Sequence, residues 1–386
     1  MDTVYLDNAA TSFPKPERVY KEVDNCLRTY CGNPGRSAHR LAMESSEKIY
    51  ECRERLASFF SMKSPERIIF TQNTTYALNM AIKGLVSRGD HILISDMEHN
   101  SVYRPVAALE RMGYADYSVF KTVSDGRPLS TDEIRHSILS LIRPGQTKLL
   151  ICAHIPNISS AVRPIELIGD ICRRNGIIFI LDAAQSAGHI RIDMKQANVD
   201  ILCAPGHKGL LGIQGCGFMI LSEDCPKLST LIEGGNGLNS LESDMPEMLP
   251  ERLEAGTLPT PSIAALSEGI NFLSELSPKE INRHEIMLYN RLANALASPS
   301  IKATIYTPYA AGSVLLFNVK GHSSDEIGHI LSKNGVCVRS GYHCSALGHK
   351  ALGTVADGAV RVSFGFFNKP SDIDYLYRVL SEYLKA

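Results

Sequence analysis

Several features that mark specialised protein classes are missing from this 386-residue sequence. Charge is nearly balanced, with 40 Lys and Arg against 41 Asp and Glu, so nothing indicates a nucleic acid or an anionic membrane as partner. No apolar run approaches the roughly 20 residues that span a bilayer, and Met1-Asp2-Thr3 opens a polar segment rather than a signal peptide. We therefore expect a cytoplasmic protein.

The cysteines lack the density and the spacing of a structural framework. Ten cysteines are too dilute for a disulfide scaffold, and no two form a Cys-x-x-Cys pair, so neither a structural zinc site nor a dithiol redox motif is expected. Most of them are expected to be small buried hydrophobic residues. The chain also exceeds the length at which single cores usually divide, which predicts two domains.

What is present is an α/β pattern with polar residues at the ends of apolar runs. Strand-like runs at residues 91–94, 148–153 and 176–181 alternate with helical patterns, which indicates a mainly parallel sheet covered on both faces. In such sheets the polar residues beyond the carboxyl ends of the strands converge on one crevice. The residues in these positions are His99, Asn157, Asp182, Gln185 and Lys208.

Lys208 lies between two apolar runs, directly after Pro205-Gly206-His207. Burial lowers the pKa of a lysine from its reference of about 10.4 and yields a free amine that can attack a carbonyl, so Lys208 is the candidate Schiff-base residue. The alternative is a loop lysine that reaches solvent.

Thr74 and Thr75 begin a predicted helix, whose first amide groups form an anion site. The alternative interpretation of these two residues is a simple N-cap.

Asp182 directly follows six apolar residues. A carboxylate in that position is costly unless a cation pairs with it, and a pyridinium nitrogen supplies such a cation. Because Asp is also favoured at helix N-caps, an N-cap is the alternative interpretation.

Beyond residue 221 the composition changes. A polar, glycine-rich stretch at 233–250 is typical of a mobile or partner-contacting loop, and a long helical pattern covers residues 262–297. Strand-like segments at 313–319 and 358–363 with helical patterns at 324–334 and 372–384 predict a smaller α/β domain. We assign residues 15–250 to a large domain, and residues 1–14 and 251–386 to the small one.

Two residues of the smaller domain carry chemistry. Arg361 lies inside an apolar strand, where a guanidinium needs an anion: either a substrate carboxylate held by two hydrogen bonds or a structural salt bridge. Cys344 lies on a loop with Arg339, His343 and His349, whose positive charge would favour the nucleophilic thiolate. Metal binding by Cys344 and the two histidines is the alternative, but no second ligand pair supports it, so no metal is predicted.

Taken together, these motifs resemble a known family. The pieces that carry the resemblance are Tyr5-Leu-Asp-Asn-Ala-Ala-Thr11, Asp182-Ala-Ala-Gln185, Gly206-His-Lys208, Glu254-Ala-Gly-Thr257 and Arg339-Ser-Gly-Tyr-His-Cys344. The chain resembles the pyridoxal-phosphate enzymes of the class V aminotransferase family, within it the cysteine desulfurase and selenocysteine lyase branch, and is more similar to group II than to group I desulfurases.

The resemblance implies fold type I, with a mainly parallel seven-stranded sheet covered by helices in the large domain. Lys208 would bind pyridoxal 5'-phosphate as a Schiff base, and Asp182 would pair with its ring nitrogen. The other implied cofactor ligands are His99 on the ring, Gln185 on the phenolic oxygen, Thr75 and His207 on the phosphate beside the candidate Thr74, and Thr257 on the phosphate of the second subunit of a homodimer. Asn157 and Arg361 would hold the substrate carboxylate, assisted by Arg339, and Cys344 would accept the sulfur.

The implied activity is conversion of L-cysteine to L-alanine, with a persulfide on Cys344 that passes to a sulfur-acceptor protein, as in iron–sulfur cluster assembly. Release of selenium from L-selenocysteine and amino transfer are the alternatives. Two departures from the family pattern are Pro205, where serine is usual, and Asn73, where glycine is common. Both concern the phosphate rather than a catalytic group.

Overall fold

The computed structural model describes residues 3–35, 38–124, 126–276, 278–306 and 311–384. The strands, in chain order, are β1 (Val4–Tyr5), β2 (Ile68–Thr71), β3 (His91–Ser95), β4 (Asp116–Phe120), β5 (Val123–Ser124), β6 (Arg127–Pro128), β7 (Thr147–Ala153), β8 (Ile178–Asp182), β9 (Ile201–Pro205), β10 (Gly217–Leu221), β11 (Ala303–Tyr306), β12 (Val314–Val319), β13 (Val336–Cys337), β14 (Arg339–Gly341) and β15 (Ala359–Ser363).

The helices are α1 (Glu17–Thr29), α2 (Arg40–Phe59), α3 (Thr74–Leu85), α4 (Asn100–Arg111), α5 (Thr131–Leu139), α6 (Ile165–Asn175), α7 (Thr260–Ser274), α8 (Pro278–Leu296), α9 (Ser324–Lys333), α10 (Ala346–Ala351) and α11 (Pro370–Tyr383). A 3-10 turn precedes β2.

The sequence predicted one long helical pattern over residues 262–297. The structure divides this region into two helices, α7 and α8, so the prediction of a single helix is wrong. Pro278 is the first residue of α8, and proline is well suited to begin a helix because its φ is already helical and no amide donor is needed there.

The large sheet has seven strands in the order β2-β10-β9-β8-β7-β3-β4. β9, β8, β7, β3 and β4 run parallel to one another, whereas β10 is antiparallel to both β9 and β2. The predicted fold class, a mainly parallel seven-stranded sheet covered by helices, is confirmed.

Burial on both faces follows from the period of two along each strand. In β8, Phe179 and Leu181 belong to the core cluster that includes residues of α2, α6 and α7, whereas Ile178 and Ile180 belong to the cluster with α3 and α4. The continuous apolar runs of the sequence therefore encode a sheet between two helical layers. Among the described residues, no helix combines the length and the apolar character needed to cross a bilayer.

A second sheet, in the order β11-β12-β15-β14, packs with α8, α9 and α11 around its own core. The N-terminal segment joins this part of the molecule: β1 pairs with β13, Leu6 belongs to the same core, and Asp7 bridges to Ser363. The domain boundaries given above stay a prediction.

Candidate active site

The ends of three parallel strands determine where the candidate residues lie. The strand register places Ala153 at the end of β7 beside Asp182 at the end of β8, and Asp182 beside Cys203 near the end of β9. The turns that follow these strands therefore open at the same edge of the sheet. They carry Asn157, Gln185 and Lys208.

A cavity of about 110 Å³ occupies this edge. Eight of the predicted site residues line it, namely Thr74, Thr75, His99, Asn157, Asp182, Gln185, His207 and Lys208. Arg339, Cys344, Arg361 and Thr257 are not among its lining residues. The first three lie in or beside the second sheet, close to this edge, as described below.

Lys208 lies in the turn that follows β9. Burial lowers the pKa of its amine to about 8, and repulsion from Arg361 and Arg339 adds to that decrease. Attraction to Asp182 and Asp7 acts in the opposite direction. A lysine with this pKa is neutral about one tenth of the time at pH 7, far more often than an ordinary lysine, and the neutral form is the nucleophile.

Asp182 is only 3% exposed, and its Oδ1 accepts a 2.9 Å hydrogen bond from the amide of Ala184. Burial raises the pKa of the carboxyl group, whereas the Ala184 amide and Lys208 oppose that increase. Residues 183–200, all of them described, form turns rather than a helix. The helix N-cap considered above as an alternative is therefore wrong, and the carboxylate remains free to pair with a cation in the cavity.

Two histidines at the cavity are uncharged. His99 caps α4, where its Nδ1 accepts a 3.0 Å hydrogen bond from the amide of Ser101, and His207 shares a 3.0 Å hydrogen bond with the Thr11 hydroxyl. Burial, followed by repulsion from Lys208, lowers the pKa of each ring to about 4. Neither ring therefore adds positive charge beside Lys208.

The start of α3 forms another wall of the cavity. Asn73 is the N-cap, and its Oδ1 accepts a 3.1 Å hydrogen bond from the amide of Tyr76. The Oγ1 of Thr74 is buried and has no hydrogen-bond partner within the described part of the chain. Because helix N-termini favour anions, this wall suits a phosphate group.

Two amide side chains complete the cavity. Gln185 donates a 3.0 Å hydrogen bond to the carbonyl of Ala9, and Asn157 donates a 2.6 Å hydrogen bond to the carbonyl of His343. The Oδ1 of Asn157 is buried and has no partner among the described residues. Since buried polar atoms are nearly always paired, this oxygen and the Thr74 hydroxyl are places where a bound ligand would contribute.

Arg361 is 1% exposed and forms the structural salt bridge that was one of its two interpretations. Its Nη2 donates a 2.7 Å hydrogen bond to Oδ1 of Asp7, and its Nη1 donates a 3.2 Å hydrogen bond to the carbonyl of Asn157. Its Nε is buried without a partner in the described ranges. Arg339 lies directly opposite Arg361 in the register of β14 and β15, so two positively charged side chains are cross-strand neighbours here.

Cys344 is exposed on the loop between β14 and α10. The Nη2 of Arg339 lies 3.7 Å from its Sγ, and its carbonyl accepts a 2.8 Å hydrogen bond from the amide of Asn100, the residue after His99. The thiol loop is therefore attached to the segment that brings His99 into the cavity. Among the described residues, no group of three or more His, Cys, Asp or Glu side chains could hold a metal ion.

Thr257 is exposed and lies in a segment without helix or strand, outside the cavity of its own chain. Its role toward a second subunit stays a prediction.

The sequence reasoning missed a contact between the N-terminal segment and the turn that carries Lys208. The Ser12 hydroxyl donates a 2.8 Å hydrogen bond to the carbonyl of Lys208, and the Lys15 ammonium donates a 2.8 Å hydrogen bond to the carbonyl of His207. Lys15 is only 8% exposed, and burial lowers its pKa to about 7. Two flanking prolines gave the only local signal, and they indicate a turn rather than a buried cation.

Comparisons with known proteins agree over nearly the full chain. The probable cysteine desulfurase of Methanothermobacter thermautotrophicus is 32% identical, over 99% of this chain and 94% of that protein, and the probable cysteine desulfurase of Halalkalibacterium halodurans is 29% identical, over 98% and 92%. The apo structure of the cysteine desulfurase from Thermococcus onnurineus NA1 has a TM-score of 0.88 at 29% identity and covers 99% of this chain and 95% of that one.

The Escherichia coli cysteine desulfurase CsdA, crystallised in an S-sulfonic acid form, also has a TM-score of 0.88. It covers 99% of this chain and 95% of its own, but at 24% identity it shows the fold alone. The family model described as aminotransferase class-V matches residues 4–376, and on that match this chain belongs to the class V aminotransferase family.

Proposed function

We propose that this protein is a pyridoxal-phosphate-dependent cysteine desulfurase. The observation that carries the proposal is the position of Cys344: an exposed thiol whose main chain is hydrogen-bonded to the residue after His99, at the edge of the cavity that holds Lys208 and Asp182. An aminotransferase has no use for a thiol in this position. A sulfur transferase needs one that is both close to the substrate and open to an acceptor.

The residues of the cavity fit pyridoxal 5'-phosphate. The α3 N-terminus suits the phosphate, together with Thr75, His207 and the Thr74 hydroxyl, which has no partner in the described part of the chain. Gln185 uses one amide N–H on Ala9 and has a second for the phenolic oxygen, and the uncharged ring of His99 suits stacking. Pro205 lines the cavity but has no hydroxyl to offer the phosphate.

When bound, the cofactor supplies an aldehyde that condenses with amines and a pyridinium ring that accepts an electron pair from the α-carbon of an amino acid. The Lys208 amine would hold the cofactor covalently and, when not bonded to it, would accept the substrate α-proton at its Nζ. Its lowered pKa leaves it able to accept that proton at neutral pH. The buried carboxylate of Asp182 would pair with the ring nitrogen and favour its protonated form.

Arg361 and Asn157 orient the substrate through its carboxylate. Arg361 has a buried Nε that no described residue pairs with, and the Nδ2 of Asn157 also holds the carbonyl of His343 in the Cys344 loop. A carboxylate bound here therefore lies beside the loop that carries the nucleophile. Arg339, opposite Arg361, adds positive charge for the same carboxylate and lies beside the Cys344 sulfur.

The Sγ of Cys344 accepts the sulfur. A sulfur–sulfur bond forms between Sγ and the substrate sulfur while the bond between that sulfur and the substrate β-carbon breaks. The electron pair of the broken bond remains on the β-carbon, which takes up a proton, so cysteine and a thiol become alanine and a persulfide without an external oxidant. The exposed Cys344 can then pass its outer sulfur to an acceptor protein, for example in iron–sulfur cluster assembly.

The same proposal includes a homodimer in which Thr257 reaches the cofactor phosphate of the partner, which suits its exposed position outside its own cavity. We also propose that the protein is cytoplasmic. All ten cysteines are free thiols, and this supports a reducing compartment.

Product analysis of the protein loaded with pyridoxal phosphate tests the proposal. With L-cysteine and a reductant, wild type should form alanine and sulfide in equal amounts, and Cys344→Ser should form neither. Retention of selenocysteine turnover by Cys344→Ser would identify a selenocysteine lyase as the better assignment. Stoichiometric formation of a keto acid with amino transfer would assign the protein as an aminotransferase instead.

A further inference from the structure

Two adjacent residues in the thiol loop have a backbone conformation that glycine usually adopts. His343 has φ 50° and Cys344 has φ 55°. In this region the Cβ atom crowds the following carbonyl oxygen, so a residue other than glycine stays there only when its surroundings hold it. The loop that carries the nucleophile therefore depends on contacts outside its own sequence.

One set of contacts reaches the large sheet. The carbonyl of Cys344 accepts from the Asn100 amide at 2.8 Å, and the carbonyl of His343 accepts from Asn157 Nδ2 at 2.6 Å. The Ser345 hydroxyl donates a longer bond of 3.4 Å to the carbonyl of Glu98. These bonds fix the main chain on the side of the loop that faces the cavity.

A second set of contacts holds the His343 ring through residues of the smaller part of the molecule, on β14, on α10 and just after α10. The Nε2 of His343 lies 3.2 Å from the carbonyl of Arg339, its Nδ1 lies 3.2 Å from Nε2 of His349, and Nδ1 of His349 lies 2.7 Å from the Thr354 hydroxyl. The two rings are stacked at 13°. The three side chains are 2%, 1% and 3% exposed.

This chain of hydrogen bonds has only one consistent arrangement for neutral rings. A carbonyl can only accept, so His343 carries its proton on Nε2 and accepts at Nδ1 from His349, which in turn accepts from the hydroxyl of Thr354. Burial lowers the pKa of both rings, that of His343 to about 3, and so favours their neutral forms. The hydrogen bonds between them therefore fix the orientation of the His343 ring.

We propose that His349 and Thr354 are positioning residues for Cys344: by fixing the tautomer and orientation of His343, they keep the loop in the left-handed conformation from which Sγ receives the substrate sulfur. The proposal rests on the proposed function. None of these contacts reaches Sγ, so the effect passes through the backbone of His343.

The test separates steps that need Cys344 from steps that do not. β-Chloro-L-alanine is processed through the same removal of the α-proton, but chloride leaves without a thiol acceptor. Thr354→Val removes only the hydroxyl and keeps the shape of the side chain. We expect it to lower kcat for L-cysteine about tenfold or more, with KM and β-chloro-L-alanine turnover within about twofold of wild type. Thr354→Ser, which retains the hydroxyl, should restore cysteine turnover.

Thr147→Val is the matched control. Thr147 also pairs with a buried histidine, His91, at 2.9 Å, but on the large sheet away from the cavity. It should leave the ratio of cysteine to β-chloro-L-alanine turnover unchanged. In addition, amide hydrogen exchange without substrate should accelerate in the peptides that contain Asn100 and residues 342–346 for Thr354→Val, and not for Thr147→Val.

An equal loss with both substrates in Thr354→Val would overturn the positioning role, as would unchanged hydrogen exchange in the thiol loop. If wild type turned over β-chloro-L-alanine but not cysteine, the proposed function itself would fail. The exchange comparison would still decide whether Thr354 holds the loop.

Discussion

The buried guanidinium of Arg361 donates a 2.7 Å hydrogen bond to the carboxylate of Asp7, a residue 354 positions earlier in the chain. The pair joins the N-terminal segment to the strand that carries the proposed carboxylate ligand. Arg339 lies opposite Arg361 on the neighbouring strand, so the guanidinium that Asp7 binds also has a second positive charge beside it.

Asp7→Asn should destabilise the protein. The amide keeps the shape but removes the negative charge, and a buried cation left without its partner is costly. We expect a loss of about 3 kcal/mol in the free energy of unfolding, at the low end for a buried pair because Asp7 is 20% exposed. Urea denaturation measures it. Asp132→Asn, at a side chain 93% exposed, is the control, and equal stability of the two variants would contradict the prediction.

The reaction of Lys208 with an aldehyde should depend on pH in a defined direction. Only the neutral amine reacts, so the rate at which cofactor-free protein combines with pyridoxal phosphate should rise with pH and level off above about 8. Attraction to Asp182 raises the pKa of Lys208, so Asp182→Asn should move the midpoint to lower pH. Stopped-flow absorbance gives both midpoints. A midpoint near the ordinary lysine value would show that the amine is not perturbed.

Lys15 should make folding more favourable as the pH rises. Its pKa is about 7 when folded and 10.5 as an ordinary lysine, so between these values the unfolded chain binds more protons. This single group then contributes about 1.4 kcal/mol of stability per pH unit between pH 8 and 10. Lys15→Met should remove that slope in urea titrations. Lys21→Met, at an exposed position, should retain it, and equal slopes in the two variants would refute the assignment.

Two substitutions of Asn73, the N-cap of α3, should differ in how much stability they cost. Asn73→Ala removes the hydrogen bond to the Tyr76 amide and should cost about 1 kcal/mol, whereas Asn73→Gly, the residue common in the family, should cost only a few tenths. Urea denaturation of both variants checks the order. A larger cost for glycine would mean that Asn73 does not act as a cap.

Much of the site could be predicted from the sequence because apolar runs end abruptly at polar residues. The ends of β7, β8 and β9 are in register, so the residues just beyond them had to share one edge. Thr74 and Thr75 followed from helix-start chemistry in the same way. Each of these signals is local in the sequence. A parallel sheet brings the residues together because the carboxyl ends of its strands lie at one edge.

The remaining features depend on contacts between distant parts of the chain. Nothing near Arg361 indicates that Asp7 is its partner, and nothing near Lys15 indicates that it is buried against the turn of Lys208. The left-handed turn at His343 and Cys344 was hidden for a related reason, since its support comes from Asn100, Asn157 and His349. Only packing reveals such relationships.

The most direct test is mass spectrometry of the protein loaded with pyridoxal phosphate after exposure to L-cysteine without reductant. Cys31 and Cys344 are the two exposed thiols among the ten cysteines, so Cys31→Ser is a matched control. We expect a gain of one sulfur atom on the peptide that contains Cys344 in wild type and in Cys31→Ser, and no gain in Cys344→Ser. Formation of alanine with the added sulfur on another residue, or with no protein-bound sulfur, would contradict this expectation.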